Sequence, residues 1–349
     1  MENKDDSFSL KAIQVAACKY GENAYQSPAA LFSTETEDEL GLDHFQLVAG
    51  TPLSYNNYCD LDRLLQTMTH IAATFDLNCG EVPYIAIGAK HGNTCGAGVD
   101  YMDKSEVIKK MVTGDLQSLF GGLVMLNFPI DVQEAELLLT YEASSRRLLD
   151  GIIAPWFSPE AISMLSRKGD KCRFVSNPKL SELDQSSLDL APIHRYVRGG
   201  LLLQPNYSYI FKLDDLELVK HRSALFGFMR DDLFLAKAIC DTSNSNTITI
   251  VKDGQLLGNG VGQQSRVNGA ELALGIAKKN NHDLDGSVAA SDSFFPFTDA
   301  PDVLIESGVK VILSTSGSVN DKKVIEFCES KGASLLLIPD VKGRGFFNH

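Results

Sequence analysis

Short apolar runs alternate with amphipathic stretches along most of the chain. "VPYIAIGA" (82–89) is a continuous apolar run of strand length and predicts a buried strand. "KSEVIKKMVTG" (104–114) spaces its apolar residues three and four apart and predicts a helix. "FGGLVMLN" (120–127) predicts a strand, and "DVQEAELLLTYEASSRRLL" (131–149) a longer helix with Asp131 as N-cap. "GIIAPWF" (151–157) is the next strand. After "YVRGGLLLQ" (196–204), "NTITIVKDGQLLGNGVG" (246–262) predicts a hairpin turning at Asp253-Gly254. "GAELALGIAKKN" (269–280), "DVLIESG" (302–308) and "KKVIEFCESKG" (322–332) are helical in pattern. "GSVAASDSFFPF" (286–297) runs from strand to loop, and "KVILSTSG" (310–317) and "ASLLLIPD" (333–340) are strands. This rhythm predicts an α/β protein with mostly parallel or mixed sheets flanked by helices. The polar stretch "SNPKLSELDQSSLDLAP" (176–192) interrupts it. The expected division is a polar tail at 1–10, a first α/β subdomain at 11–185 and a second at 186–349. The shared rhythm suggests duplication, but no residue-level repeat is evident.

Composition narrows the function. The chain has 349 residues, 44% hydrophobic and 22% charged, which is ordinary for a globular protein. A net charge of −13 disfavours a nucleic-acid coat or an anionic-membrane binder, though not a local basic pocket for a small anion. No apolar run approaches a membrane span, and "MENKDDSFSL" has no signal-peptide core. The seven cysteines are scattered, odd in number and without a Cys-x-x-Cys, as expected of reduced thiols in a cytoplasmic protein.

Four stretches carry candidate chemistry. In "AIGAKHGNTCGAGVD" (86–100), Lys90 precedes Gly92, so a Walker A loop is ruled out. His91 and Cys95 are two zinc ligands at best, and the deaminase pattern His-x-Glu…Pro-Cys-x-x-Cys is absent. Two alternatives remain: an ordinary glycine turn, or an acid–base pair at a strand end. "DSFFPFTD" (292–299) is either a core plug or a stacking wall for a flat heterocycle, with Asp292 and Asp299 facing ring nitrogens. "GNGVGQQSRVNGAELA" (258–273) is either a hairpin-to-helix junction or an anion seat at Ser265 and Arg266. "KYGENAYQ" (19–26) and "LSYNNYCD" (53–60) have the composition of polar-aromatic loops.

In this order, the segments resemble one family, the aminoimidazole carboxamide ribonucleotide (AICAR) transformylase domain of the bifunctional purine-biosynthesis enzyme. "KYGENAYQSPAALF" is similar to its Arg-Tyr-Gly-x-Asn-Pro-His-Gln segment, "LSYNNYCDLD" to Leu-Ser-Tyr-Asn-Asn, and "KHGNTCGAG" to Lys-His-x-Asn-Pro-Cys-Gly. "LFGGLVMLN", "DGIIAPWFSPEAISML", "RGGLLLQ", "SNTITIVKDGQLLGNGVGQQSR", "GSVAASDSFFPFTD" and "GFFNH" follow in order. The resemblance runs from about residue 11 to 349 and lacks the inosine monophosphate cyclohydrolase domain. It implies two cytidine-deaminase-like subdomains in a homodimer whose sites lie between chains. It implies a formyltransferase acting with 10-formyltetrahydrofolate on the AICAR amine, without a metal, a membrane or nucleic acid. By resemblance His91 is the base, Lys90 supports the oxyanion or protonates the leaving nitrogen, and Asn246 positions amine and formyl groups. Lys19, Tyr20, Asn57, Asp150, Arg266, Phe294 and Arg344 fall at ribotide-binding positions. Pro296, Phe297 and Asp299 fall on the folate stretch.

The departures cluster. Lys19 replaces an arginine, Tyr25 a histidine, Thr94 a proline, and Gly345 a phosphate-binding arginine for which Arg344 is the nearest substitute. Lysine keeps the charge but not the bidentate fork. One lost arginine–phosphate contact costs about 1.5–3 kcal/mol. Two alternatives follow: transfer to another amino-heterocycle or a non-phosphorylated analogue, and a non-catalytic ligand-binding paralogue.

Overall fold

The structure, a computed structural model, describes residues 9–216 and 228–347. A two-stranded arm, β1 (Ile13–Cys18) and β2 (Ala29–Ser33), leads to the edge strand β3 (Gln46–Ala49). Then comes α1 (Tyr55–Cys79), where the sequence pattern suggested a loop. Ser54 caps it. Its side chain accepts from the Asn57 amide, and the Asn57 side chain accepts from the Ser54 amide, a reciprocal capping box. Gly80, in the left-handed region at φ 70°, ends it. The apolar period was masked because the buried face of α1 mixes Leu61, Leu64, Met68 and Phe75 with Thr67, Thr69, His70 and Thr74.

From α1 onward the chain is built twice. The first unit continues with β4 (Tyr84–Lys90), β5 (Asn93–Asp100), α2 (Lys104–Gly114), β6 (Leu123–Leu126), α3 (Val132–Thr140), β7 (Gly151–Ala154), α4 (Pro159–Leu165) and β8 (Arg173–Ser176). Short 3-10 turns and an exposed hairpin, β9 (Ile193–Val197) and β10 (Gly200–Gln204), connect the units, and the expected 185/186 division falls within this stretch. The second unit is α5 (Phe228–Asp241), β11 (Ile248–Lys252), β12 (Gln255–Gly260), α6 (Arg266–Lys279), β13 (Val288–Ser291), α7 (Asp299–Glu306), β14 (Val311–Thr315), α8 (Asp321–Ser330) and β15 (Ser334–Ile338), followed by α9 (Asp340–Gly343). Eleven strands form one sheet in the order β15-β14-β13-β11-β12-β5-β4-β6-β7-β8-β3. Each unit opens with an antiparallel hairpin and ends in a three-stranded parallel ladder, so the sheet is mixed.

The duplication extends to residues, which corrects the expectation from sequence. "KHGNTCGAG" (90–98) and "KDGQLLGNG" (252–260) occupy the same hairpin position, and the register shift at Gly88/Ala89 recurs at Ile250/Val251. The glycines match because each pair lies beneath a helix. A β-carbon on Gly96 or Gly98 would strike the carbonyls of Met111 or Val107 on α2. On Gly258 or Gly260 it would strike those of Ala273 or Gly269 on α6. The units join along β5 and β12, where the Val99 amide donates to the Gly254 carbonyl at 2.9 Å.

The strands bury both faces. Ile85 and Ile87 pack with α1 and α5 on one side, while Ala86, Val124 and Ile152 pack with α2, α3 and α4 on the other. Ile248, Ile250 and Ala289 pack under α6, α7 and α8 in the same way. Phe75 of α1 meets Phe234 of α5 edge to face at 5.8 Å between ring centroids. The helix expected over 131–149 stops at Thr140, with Asp131 as its N-cap as expected. Arg147 folds back to donate to the carbonyls of Leu138 and Tyr141 at 2.8 and 2.7 Å, satisfying the helix end.

Candidate functional site

The first group of candidate residues surrounds the β4–β5 turn. His91 and Gly92 sit at φ 52° and 72°, the double left-handed geometry of a two-residue hairpin turn. Glycine takes this freely, whereas histidine needs support. Asp60 of α1 accepts from the Gly92 amide at 2.6 Å, and Arg63, one helical turn on, donates through Nε to the Gly92 carbonyl at 3.1 Å. Burial raises the Asp60 carboxyl above its usual range, with the Gly92 amide opposing. The turn presents an exposed His91 to a cavity of about 530 Å³ that also meets Glu22, Asp60, Asp62, Arg63 and Asn244. Behind it, Lys90 and His91 border a second cavity of about 230 Å³ with Cys95, Asp115 and Asn259. Lys90 Nζ donates to the Phe120 carbonyl at 2.8 Å. Burial, with the charge of Asp115, pushes the Cys95 thiol up to about 12, so this cysteine is a neutral packing group and not a thiolate nucleophile.

Two other candidate residues of this half, Asn57 and Asp150, have partners within the fold. Asn57 is buried in the α1 capping box. Asp150 is bound by Arg167 at 2.7 Å. Lys19 is exposed, its ammonium 5.9 Å from the Tyr20 ring centroid, in the loop after β1. That loop reaches α1 where Asn56 donates to the Glu22 carbonyl at 3.4 Å.

The second group surrounds Asp292. This carboxylate is fully buried and accepts from Ser245 Oγ at 2.7 Å, the Thr247 amide at 3.1 Å and Arg266 Nη2 at 3.2 Å. The expectation that Asp292 faces a ring nitrogen is therefore corrected: its oxygens are committed to the fold. Ser265 caps α6 through the Asn268 amide, making "GQQSR" a hairpin-to-helix junction. Asn246 follows a cis peptide and donates through Nδ2 to the Gln263 carbonyl at 2.8 Å. In the loop after β13, Phe294 is half-buried, the Pro296 carbonyl accepts from Asn320 at 2.8 Å, and Phe297 is 64% exposed. Asp299 opens α7 and accepts from the Ala300 amide at 2.9 Å.

The C-terminal strap crosses this group. Lys237 donates to the Gly343 carbonyl, the Gly345 amide to the Asp292 carbonyl, each at 2.8 Å, and the Ser245 amide to the Phe347 carbonyl at 3.2 Å. Arg344 pairs with Asp340. A side chain at Gly345 would collide with the carboxylate of Asp241, so an arginine has no room there. Asn348 and His349 of "GFFNH" lie outside the described residues.

Phe294, Pro296, Phe297 and Asp299 border neither of the two spaces beside His91. Arg63 links the turn to the second group, because its Nη2 donates to the Thr242 carbonyl at 2.8 Å and to Asn244 Oδ1 at 3.3 Å. Asp60 and Arg63 have no signal in the sequence without α1; three residues apart on that helix, they fall on one face. Among the described residues no group of three or more His, Cys, Asp or Glu is placed to hold a metal ion, and no helix is long and apolar enough to cross a membrane.

Relatives place these residues in a family. The chain is 32% identical to the bifunctional purine biosynthesis protein PurH of Aquifex aeolicus over 95% of its own length and 60% of that protein. It is 28% identical to the same-named protein of Persephonella marina, over 96% and 60% respectively. The chain thus spans about three-fifths of the length of these relatives. Among solved structures, a dCMP deaminase from the cyanophage S-TIM5 overlaps 32% of the chain and 94% of its own, at 18% identity and a TM-score of 0.22, too slight a likeness to bear on the fold. The model of the AICARFT/IMPCHase bienzyme family matches residues 1–275, and the chain belongs to that family, whose named relatives act in purine biosynthesis.

Proposed function

We propose that this chain transfers the formyl group of 10-formyltetrahydrofolate to the amine of AICAR, giving formyl-AICAR and tetrahydrofolate. The observation that carries the proposal is His91, exposed on a left-handed turn gripped by Asp60 and Arg63, beside a cavity able to admit a flat heterocycle, in a chain of this family. The amine is conjugated with the imidazole and carboxamide and is a poor nucleophile. It needs a base as its nitrogen bonds to the formyl carbon. His91 takes that proton; the tetrahedral carbon then releases N10 of the folate, which must gain one. Lys90, by exchanging its Phe120 carbonyl for the substrate, steadies the oxyanion or supplies the second proton. Asn246 and the Phe294–Asp299 loop supply positioning and a folate wall from the second group.

Two groups facing different spaces in one chain support a second element of the proposal, a homodimer in which the His91 side of one copy meets the Asn246 side of the other. The β9–β10 hairpin exposes Leu201, Leu202, Leu203 and Tyr196 at 52–77%, and the β1–β2 arm exposes Ile13, Val15 and Phe32, apolar area suited to a second copy. Light scattering that gives a monomer at micromolar concentration removes this element.

One observation favours a different acceptor: Asp241 occupies the place of a side chain at Gly345, and Arg344 already faces Asp340. That arrangement suits an amine without a phosphate. The deciding assay is turnover with 10-formyltetrahydrofolate and either AICAR or its nucleoside. Turnover of AICAR that falls about 10²–10⁴-fold in His91→Ala supports the first reading. Activity on the nucleoside alone supports the second, and binding without turnover supports a non-catalytic role.

A further inference from the structure

We propose that Arg63 is a positioning residue that ties the Lys90-His91-Gly92 turn to the Asn244–Asn246 loop and the C-terminal strap, so that docking of Phe347 sets the placement of His91. Its kinetic consequence rests on the role given to His91 above; its structural content does not. Four contacts carry it. Arg63 Nε donates to the Gly92 carbonyl at 3.1 Å, and Nη2 donates to the Thr242 carbonyl at 2.8 Å and to Asn244 Oδ1 at 3.3 Å. The face of the guanidinium lies 3.8 Å from the Phe347 ring centroid. Asn244 and Phe347 are themselves joined by a backbone bridge, and the Ser245 amide donates to the Phe347 carbonyl. One planar group therefore contacts the turn, the loop and the strap at once, which an ammonium on a flexible stem does not reproduce.

The charge of Arg63 is handled unusually. Arg63 is only 9% exposed, yet among the described residues it forms no ion pair and its buried Nη1 has no hydrogen-bond partner. A buried cation is ordinarily paired directly with a carboxylate; here Asp62 favours the charge without contact within ion-pair distance, and the direct partners are carbonyl oxygens and a ring face. Two of those partners belong to the strap and the loop it covers, so the guanidinium is well held only while the strap is down.

The second unit provides an internal control. Its equivalent turn, Lys252-Asp253-Gly254, has the same left-handed pair, at φ 52° and 69°. Asp232 of α5 stands in the place of Asp60, accepting from the Asp253 and Gly254 amides at 2.9 and 2.6 Å, while the Gly254 carbonyl accepts from the Val99 amide at 2.9 Å instead of from a side chain. A helix carboxylate and a backbone amide are thus enough to hold such a turn without an arginine. What Arg63 adds is the connection from the turn to the strap.

The test compares wild type, Arg63→Gln, Arg63→Lys, Phe347→Leu and His91→Ala, first without any ligand. Chymotrypsin cleavage after Phe346, followed by mass spectrometry, reads strap release. The Cε1–Hε1 resonance of His91, assigned by its loss in His91→Ala, reads the turn. The expected result is at least tenfold faster cleavage and a displaced His91 signal in both Arg63→Gln and Phe347→Leu. Arg63→Lys should recover part of both, and His91→Ala should stay protected, because Arg63 binds backbone at the turn. With substrates, kcat should fall at least tenfold in Arg63→Gln while KM for the folate stays within threefold. A folded Arg63→Gln whose cleavage rate and His91 signal match wild type overturns the proposal. If that variant does not fold, an unmoved His91 signal in Phe347→Leu overturns it equally. A wild type that forms no formyl product sinks the proposed function, and the two ligand-free readouts still decide the role of Arg63.

Discussion

Gly345→Ala tests how the strap is seated. An added β-carbon would meet the Asp241 carboxylate, which is held by Lys237 Nζ at 2.5 Å and Tyr207 Oη at 2.6 Å. One of the two must move. Displacing Asp241 breaks a pair whose side chains are 1% and 3% exposed, and breaking a buried pair costs about 3–5 kcal/mol. Lifting the strap instead surrenders the burial of Phe347, about 1.5–3 kcal/mol, and its stacking with Arg63, about 0.5–1 kcal/mol. The strap is the cheaper loss, so it should yield. The expected cost is about 2–4 kcal/mol, which is roughly 30- to 1,000-fold faster local opening. Hydrogen exchange by mass spectrometry should show protection lost in the peptide spanning Gly343–Phe347 and retained in α5. Loss of protection in α5, or a C-terminal peptide as protected as in wild type, refutes the reasoning.

Two further outcomes follow from the duplicated hairpins. Gly96→Ala and Gly258→Ala place a methyl against the Met111 and Ala273 carbonyls in equivalent positions, so both should lose stability by at least about 1–3 kcal/mol in urea unfolding; a neutral result at either site breaks the equivalence. Burial raises the Asp232 carboxyl to about 6, so the folded chain holds this proton more tightly than the unfolded one. Its contribution to stability is fully present below the unfolded carboxylate range and is lost as pH rises through about 6. Relative to wild type, Asp232→Asn should therefore gain about 1 kcal/mol between pH 5 and pH 7. A difference between the two proteins that does not vary with pH contradicts the assignment.

Much of the architecture is written locally. Strand runs such as 82–89 and 333–340, the Asp253-Gly254 turn and the N-cap at Asp131 follow from side-chain period and backbone preference, which neighbours in sequence determine. The ordered motifs also located the Lys90-His91 turn. What they did not reveal was α1, because threonines and a histidine share its buried face with the apolar residues and blur the period. Without that helix, Asp60 and Arg63 had no face to belong to, and the grip on Gly92 was invisible. The rhythm suggested duplication, but the residue-level repeat was hidden, because it is carried by glycines whose meaning, the close approach of α2 and α6, exists only after folding. Asp292 shows the same limit from the other side. Beside three phenylalanines its sequence context suggested a ligand contact, but burial among Ser245, Thr247 and Arg266 commits its oxygens to the protein. Period and turn chemistry are local properties and can be read from the chain. Which side chain is left to meet a ligand depends on partners far apart in sequence, and that only the tertiary structure decides.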